Sequence, residues 1–463
     1  MPLDLNPLHE EVAAIMVDGP KPVHFKMECI IHTPEKEIRP LKVISLDIDR
    51  DYSKNYCDYR LLELLIPLGT YNHDIIPFKQ ELLIEVNKYP LPEGLEEIDE
   101  DSEIISRTFR GIMVDEHDDV EGVTLPVSEN KDASDNMNPL RIEIQLLDLA
   151  IEQLRLIETG GIYRDEIPGE VLRYILTHVS ERLDLPEEEE IIGVDVVEYD
   201  NQDPYHHIIL PHGTKIQNVA SIIQDDFGGI YNSGVGCYLQ DNLWYIWPEC
   251  NLTRFDKEKR TLTLINIPSN RYRGSERTYR MDDYQLIVVS TGETTHKDLS
   301  HRQQLDEGNA IRYTHGDPML KDEGPFSKHF GESGKDNKFH IKRNENNSEY
   351  IAIDRPNYDV GFVSPARISN NSFSETSMLA RRQGSFLSAV WEYSNPDLIY
   401  PGMPLRLMYL KENEVQELDG IVIKTHHYIH DPRPGINPQH RHLCNTNIVA
   451  FMAIPEEDES EDE

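Results

Sequence analysis

Alternation of apolar and polar residues constrains this chain more than any other feature of its sequence. Within residues 41–114, apolar side chains occupy every second position in two stretches: Ile44, Leu46, Ile48 and then Leu82, Ile84, Val86. A period of two places successive side chains on opposite faces of a strand, so one face of each stretch is buried. A further strand is expected over residues 107–114. The pattern predicts four or five antiparallel strands, enough for a small barrel or sandwich.

The last third of the chain also predicts mainly β structure. Turns are expected at Pro401-Gly402 and Pro434-Gly435, and they separate four predicted strands: residues 385–393, 405–410, 415–430 and 440–454. The final residues, 455–463, are almost all acidic, so nothing in their composition holds them to a core. This region therefore predicts a second compact β unit followed by a disordered acidic tail.

The middle of the chain mixes helical and β patterns. Residues 140–158 predict a strand first, and their continuation is ambiguous between strand and helix. A helix is predicted to begin at Pro168 and to end before Pro186, because its apolar residues share one side: Val171, Leu172, Ile175, Val179 and Leu183. A shorter helix follows near Ile216, and Gly228-Gly229 ends it.

The remainder of the middle region predicts β structure and one long loop. A hairpin is expected about the Asp241-Asn242 turn, and a strand is expected over residues 261–267. Residues 291–345 form a long polar excursion. A loop of that length inside a domain is typical of an interaction element or of partial disorder.

The net charge of the chain restricts the kinds of molecule that it can be expected to bind. The 463 residues include 45 basic and 84 acidic side chains, which gives a formal net charge of −39. Nucleic-acid affinity comes largely from Lys and Arg that displace counterions, so this composition argues against sequence-specific DNA binding. The five cysteines are odd in number and form no C-x-x-C pair, so they favour a reducing compartment over a disulfide framework. No secretory or membrane-spanning pattern is present, which predicts a soluble protein made in the cytoplasm.

The sharpest chemical candidate is the histidine group, defined as His426, His427, His430, His440, His442 and Cys444. On neighbouring strands, His440, His442 and Cys444 would point one way, as would His426 and His430, so a hairpin could gather zinc ligands. The plainer interpretation is a set of solvated histidines on an exposed hairpin, because no fixed ligand-spacing signature accompanies them. We assign no metal site, no catalytic residue and no cofactor site on this basis.

Three other patterns are weaker. Asp47, Asp49, Asp51, Asn55 and Asp58 have calcium-loop spacing, but Tyr52 stands where the sharp turn needs Gly. Neither a complete phosphate-binding loop nor a dinucleotide fingerprint is present. The aromatic cluster Tyr238, Trp244, Tyr245 and Trp247 would suit a sugar or protein contact, although a core position is the favoured interpretation.

The order of these segments resembles the central baseplate hub proteins of contractile-tailed bacteriophages. The resemblance rests on six segments: residues 41–51, 171–185, 210–214, 229–247, 400–403 and 418–423. It implies a mainly β fold with some α, in which two tube-like antiparallel β-barrel domains are joined by α/β domains. The implied divisions are an N-terminal arm (1–20), a first barrel domain with an acidic insertion (21–150), a middle helical and β region (151–345), a second barrel domain (346–454) and the tail (455–463). Either barrel could borrow strands from the middle region.

The resemblance also implies a function. Such a hub is a non-enzymatic homotrimer whose six barrels form a pseudo-sixfold ring, which joins a hexameric tail tube to a trimeric central spike and lets DNA pass. Its partners would be the tube protein, the spike protein and other baseplate proteins, in a virion tail assembled in the host cytoplasm. Two alternatives stay open. One is a metal-dependent hydrolase or cell-wall-degrading tail component that uses the histidine group, and the other is a receptor-binding tail protein that uses the aromatic cluster.

Overall fold

The computed structural model describes residues 7–20, 24–91, 105–114, 139–258, 260–267, 276–282, 284–290, 295–297, 312–315, 360–363, 380, 384–411, 414–431 and 442–453. Strands dominate this part of the chain and helices are few, so the prediction of a mainly β fold with some α is confirmed. The acidic insertion around residues 93–103, most of the polar excursion 291–345, His440 and the tail 455–463 lie outside the described residues.

The strands follow the alternating patterns closely. In chain order they are β1 (His24–His32), β2 (Glu37–Ile38), β3 (Lys42–Asp51), β4 (Tyr59–Pro67), β5 (Leu83–Leu91), β6 (Ile105–Met113), β7 (Pro139–Asp148), β8 (Glu158–Glu166), β9 (Gly193–Val196), β10 (Tyr205–Lys215), β11 (Val235–Gln240), β12 (Leu243–Pro248), β13 (Thr261–Asn266), β14 (Tyr279–Asp282), β15 (Gln285–Ser290), β16 (Thr295–Lys297), β17 (Arg312–His315), β18 (Val360–Val363), β19 (Gly384–Trp391), β20 (Pro404–Lys411), β21 (Glu414–His430) and β22 (Leu443–Ala453). The strands β3 to β6 lie where the sequence predicts four or five.

The helices are α1 (Pro7–Asp18), α2 (Leu149–Leu154), α3 (Pro168–Ser180) and α4 (Ile216–Asp226). The predicted starts of α3 and α4 are confirmed, although α3 ends at Ser180 and does not include Leu183. The helix α2 resolves the ambiguous continuation after β7. Three short helical turns cover residues 68–78, between β4 and β5, and Ile75 anchors this connection in the core. Among the described residues, none of the helices is both long enough and apolar enough to cross a lipid bilayer.

One large sheet organises the molecule. Its strand order is β14-β15-β13-β20-β21-β3-β4-β7-β6-β5-β1-β2, with β22 on β21, β19 on β22 and β16 on β19. The strand β21 is 17 residues long and has three neighbours. Its first half pairs with β20, its second half pairs with β3, and β22 runs along its other edge. The strands β13 and β15, from the predicted middle region, join this sheet beside β20.

Two separate cores lie along β21. The first core is enclosed by strands β1 to β7 and receives Ile429 from β21 and Cys444 from β22. The second core is enclosed by β13, β15, β19 and β20 and receives Ile421 and Phe451 from the same two strands. The pairing of β21 shifts register between Val422 and Lys424, where the strand passes from one core to the other. Bulges of this kind bend a strand, so β21 can serve two differently oriented cores.

The far edge of the first core approaches β22. Phe25, at the start of β1, donates its amide to the His442 carbonyl at 3.0 Å, and His442 donates to the Phe25 carbonyl at 2.7 Å. The strands β1 and β22 are therefore neighbours at one end, although they lie far apart in the strand order. We refer to the strands around the first and second cores as the first and second modules.

The middle region packs around a third core. It consists of the antiparallel ribbon β8–β10, the helices α3 and α4, and a three-stranded sheet in the order β11-β12-β9. Trp244 and Ile246 of β12 face this core, whereas Trp247 faces the second core. The β11–β12 hairpin, predicted about Asp241-Asn242, therefore lies between the middle region and the second module.

The helix α1 covers the outside of the second module. Leu8, Val12 and Ile15 pack against apolar side chains of β13 and β15. Most of the predicted N-terminal arm, residues 1–20, is therefore an amphipathic helix, and the spacing of these three apolar residues is its signal in the sequence.

Candidate functional site

A buried ion network lies where the first module meets the hairpin. The Asp58 carboxylate, which precedes β4, contacts Nε of Arg50 at 3.1 Å and Nη2 of Arg60 at 2.6 Å. The Tyr238 hydroxyl of β11 donates a third hydrogen bond to it at 2.9 Å. All three charged side chains are almost completely buried. Burial, the largest single influence, would lower the pKa of Arg50, but the negative charges of Asp58 and of its other acidic neighbours together raise that pKa above its ordinary value.

The network extends into the middle region. Arg107 of β6 contacts Asp241 in the hairpin turn at 3.0 Å and Glu189 at 3.6 Å. Glu189 also accepts a hydrogen bond from the Thr108 amide at 3.2 Å. Each charge is matched by an opposite charge, which is the condition for burying ions without a large loss of stability. The arrangement joins three parts of the fold and leaves no unpaired acid or base for proton transfer within the network.

The bulge of β21 is bounded by uncharged polar contacts. Tyr52 donates its amide to the Ile423 carbonyl at 3.0 Å, and its hydroxyl donates to Oε1 of Gln240 at 3.3 Å. The Tyr52 ring meets the Tyr238 ring edge-on, with 4.9 Å between centroids. Burial raises the pKa of Tyr52, so this hydroxyl stays protonated and acts as a donor.

The histidine group divides between two faces of the sheet. His427 is fully buried, with Nδ1 2.8 Å from the Thr446 hydroxyl and Nε2 3.0 Å from the Thr425 hydroxyl. Burial and the nearby charge of Arg50 hold the pKa of His427 well below its usual value. His427 is therefore a neutral core residue whose two ring nitrogens both have protein partners.

The other members of the histidine group contact different neighbours. Nε2 of His442 lies 3.1 Å from the Val43 carbonyl, and burial raises the pKa of the Cys444 thiol to about 11. His426 is on the half-exposed face, with Nε2 3.2 Å from Asp47, and this hydrogen bond raises the pKa of His426.

The ring of His430 stacks on that of Tyr428 at 4.6 Å. The structure does not bring the described members of the histidine group to a common point. No set of three or more His, Cys, Asp or Glu side chains in the described ranges lies at metal-binding positions.

The calcium-like run of acids is dispersed as well. Asp47 pairs with His426, and Asp49 lies 2.8 Å from Nζ of Lys424. Asp51 accepts hydrogen bonds from Ser53 and from the Lys54 amide, and Asp58 belongs to the ion network. Asp47, Asp49 and Asp51 share one side of β3, but each is engaged by a different neighbour, so they do not converge on one point. Sequence reasoning missed the ion network, whose only signal is the alternation of Asp58 and Arg60 with apolar residues on β4.

The aromatic cluster belongs mainly to the cores. Tyr238, Trp244 and Trp247 are buried, so the prediction of core positions is confirmed for them. Tyr245 is half-buried and stacks on Tyr400 across a groove of about 710 Å³, with 6.2 Å between ring centroids. The groove also contains Arg260, whose guanidinium lies 5.5 Å from the Tyr400 ring.

Comparison with known proteins gives structural neighbours only. No protein-family model and no curated protein sequence matches the chain. The 43 kDa tail protein of prophage MuSo2 from Shewanella oneidensis aligns with a TM-score of 0.45 and 9% identity, over 91% of this chain and 96% of that one. A second neighbour is an Escherichia coli component of the type VI secretion system, described as structurally similar to bacteriophage T4 tail proteins. It aligns with a TM-score of 0.36 and 9% identity, over 92% of this chain and 77% of that one.

A Francisella PdpA–VgrG complex, in its half-lidded form, aligns with a TM-score of 0.36 and 8% identity, over 100% of this chain and 63% of that one. These neighbours are phage tail proteins and proteins of the type VI secretion system. Phage tail proteins are also the group to which the sequence resemblance points.

Proposed function

We propose that this chain is a structural hub of a phage-tail baseplate, a homotrimer that joins a hexameric tail tube to a trimeric central spike. The observation that carries the proposal is the presence of two β modules in one chain, each with its own core and both sharing β21 and β22. Three chains would then present six modules. Such a ring offers sixfold-like contacts to a tube on one side and threefold contacts to a spike on the other.

The proposal treats each module as a tube-like barrel. In the first module, the sequence of neighbours β3-β4-β7-β6-β5-β1 would return to β3 through the Phe25–His442 backbone pair and then β22 and β21. In the second module, the order β15-β13-β20-β21-β22-β19 would return to β15, where the Ser290 hydroxyl donates to the Val390 carbonyl at 2.9 Å. These contacts support closure at the two places where strand pairing alone leaves a gap.

The strongly negative net charge of the chain is compatible with a channel through which DNA passes. Each chain has a net charge of −39, so acidic side chains facing a lumen would repel a passing duplex and prevent sticking. Only charges within a Debye length, about 8 Å at physiological salt, would contribute. The proposed role needs no catalytic residue and places the protein in the virion tail, after assembly in the host cytoplasm.

The decisive experiment is the mass and symmetry of the purified protein. Light scattering should give three times the chain mass of 53.5 kDa, alone or with the spike protein, and electron microscopy should show six similar densities in a ring. A chain that stays monomeric in the presence of both tube and spike proteins would overturn the proposal. So would a trimer with only three ring densities.

The two alternatives are tested with the same preparation. Stoichiometric zinc, together with peptidoglycan or peptide cleavage that a His440→Ala/His442→Ala variant loses, would replace the hub by a metal-dependent hydrolase. Tight binding of the isolated protein to host cells, lost on Tyr245→Ala, would favour a receptor-binding protein. We expect neither result.

A further inference from the structure

A basic groove stands out on this acidic protein. It is a depression of about 530 Å³ between the first module and the middle region, and its charged lining consists of Lys79, Arg110, Arg155, Lys215 and the carboxylate of Glu152. Four cations and one acid line it, whereas acidic residues outnumber basic ones 84 to 45 in the whole chain. The local charge is therefore opposite to that of most of the molecule.

Most of this positive charge is uncompensated within the described chain. Glu152 pairs with Arg110 at 2.8 Å. Lys79, Arg155 and Lys215 are exposed and form no ion pair with any residue in the described ranges. Glu158 stands opposite Lys215 in the β8–β10 ribbon, but its carboxylate lies beside Gly213. Three cations thus remain available to an incoming carboxylate surface.

The groove also has an exposed apolar side. Leu156 and Ile112 both line it, with 82% and 37% of their surface exposed. An apolar centre with a charged rim is the usual composition of a protein–protein contact, because the apolar part gains from exclusion of water and the rim fixes orientation. A small polar ligand would leave Leu156 in water.

We propose that the basic groove is a subunit interface, occupied by the second module of a neighbouring copy of this chain. This inference rests on the proposed trimeric hub, in which the first module of each copy must face the second module of the next. The matching surface is the acidic cluster, defined as Asp256, Glu417 and Asp419, which share a single guanidinium, that of Arg406. Three carboxylates around one cation leave a net negative charge.

The geometry of such a contact fits ring closure. The basic groove and the acidic cluster are different surfaces on different modules, so the contact is heterologous rather than twofold. A set of heterologous contacts forms a closed ring when the rotation from one copy to the next is a whole-number fraction of a full turn. Three copies linked in this way bury three identical interfaces and leave no free groove.

A charge-reversal series tests the interface. We expect the variant Lys79→Glu/Arg155→Glu/Lys215→Glu to raise the protein concentration needed for half-assembly by about tenfold or more, since each 1.4 kcal/mol of lost attraction is tenfold. The matched control is Lys54→Glu/Arg164→Glu/Arg173→Glu, which makes the same charge change at exposed sites outside the groove. Far-UV circular dichroism and thermal unfolding verify that both variants fold.

The reciprocal variant identifies the occupant. Asp256→Lys/Glu417→Lys should weaken assembly by a similar factor, and combining it with the groove variant in one chain should restore assembly. A groove variant that assembles like the control, or a combined variant that stays dissociated, would overturn the inference. If the unaltered chain is trimeric and the groove variant is too, only this inference fails. If the unaltered chain stays monomeric with its tail partners, the proposed function itself fails.

Discussion

The Tyr238 hydroxyl donates a hydrogen bond to the Asp58 carboxylate at 2.9 Å, across 180 residues of sequence. Asp58 precedes β4 of the first module, and Tyr238 lies on β11 of the hairpin, in contact with the second core. Since Asp58 also bridges two buried guanidinium groups, one carboxylate contacts residues from three parts of the chain.

Replacing this carboxylate should destabilise the protein strongly. Asp58→Asn removes the countercharge that the two buried arginines share. Arg60 keeps its pair with Asp148, but Arg50 is left with only Asp241 at 4.0 Å, and breaking a buried pair in this way typically costs about 3–5 kcal/mol of unfolding free energy. Tyr238→Phe, which removes one hydrogen bond to this carboxylate and no charge, should cost less, about 1.5–3 kcal/mol. Urea unfolding measures both variants. Equal midpoints for the two would show that Asp58 is not essential to the junction.

Two adjacent histidines should give opposite pH dependences. The pKa of His427 lies well below 6.5 in the folded protein, so only the unfolded chain takes up its proton as the pH falls below about 6.5. This histidine therefore lowers stability on the acid side, by up to about 1.4 kcal/mol per pH unit. His427→Gln should flatten that slope.

The pKa of His426 is raised in the folded protein, so the effect of this histidine on stability has the opposite pH dependence. Its contribution to the unfolding free energy is fully present below its unfolded pKa and is lost as the pH rises through the higher folded value. His426→Gln should therefore reduce stability at acid pH and leave it unchanged well above neutrality. Unfolding free energies measured between about pH 5 and 8 distinguish the two effects. The same change of slope in both variants would contradict this assignment.

The Trp247 ring lies against two glycines. Gly402 has a φ of +69°, and a methyl group added there, or at Gly236, would overlap the indole ring. Gly402→Ala should lower stability by about 2–4 kcal/mol, because overpacking and a left-handed backbone each add a cost. Gly193→Ala is the control, since nothing lies within 4 Å of its added methyl. Thermal unfolding with similar midpoints for both variants would be inconsistent with this packing.

The helix α1 should contribute measurably to the second module. Ile15 is completely buried, so Ile15→Ala should cost about 2–5 kcal/mol. Val17, on the opposite side of the helix, is 67% exposed, and Val17→Ala should change stability little. Denaturant unfolding provides the comparison. An Ile15→Ala variant as stable as Val17→Ala would mean that residues 7–18 do not support the module.

Local features of the fold could be predicted because short-range rules determine them. Asp241 and Asn242 both adopt positive φ, 49° and 62°, as the tight turn between two strands requires, and these residue types tolerate that conformation best. The helix that begins at Pro168 follows from apolar spacing and from the fixed φ of proline. In each case, the information lies within a few residues of the feature.

Long-range pairing could not be predicted in the same way. The register of β21 on β3 pairs His426 with Asp49, and no local pattern specifies a partner so distant in sequence. The two histidine faces depend on this register, since a shift of one residue exchanges buried and exposed sides. The ion network was missed for the same reason. Asp58 looks like part of an acidic run until Tyr238 and both arginines are placed around it.

The strand β21, which passes through both cores and bends at its bulge, has a mechanical consequence. Because β21 is hydrogen-bonded to β22 from Gly420 to His430, pulling the two halves apart along the strand would load many backbone bonds in shear at once. Tension applied to one half of β21 would therefore be carried to the other half through the same backbone.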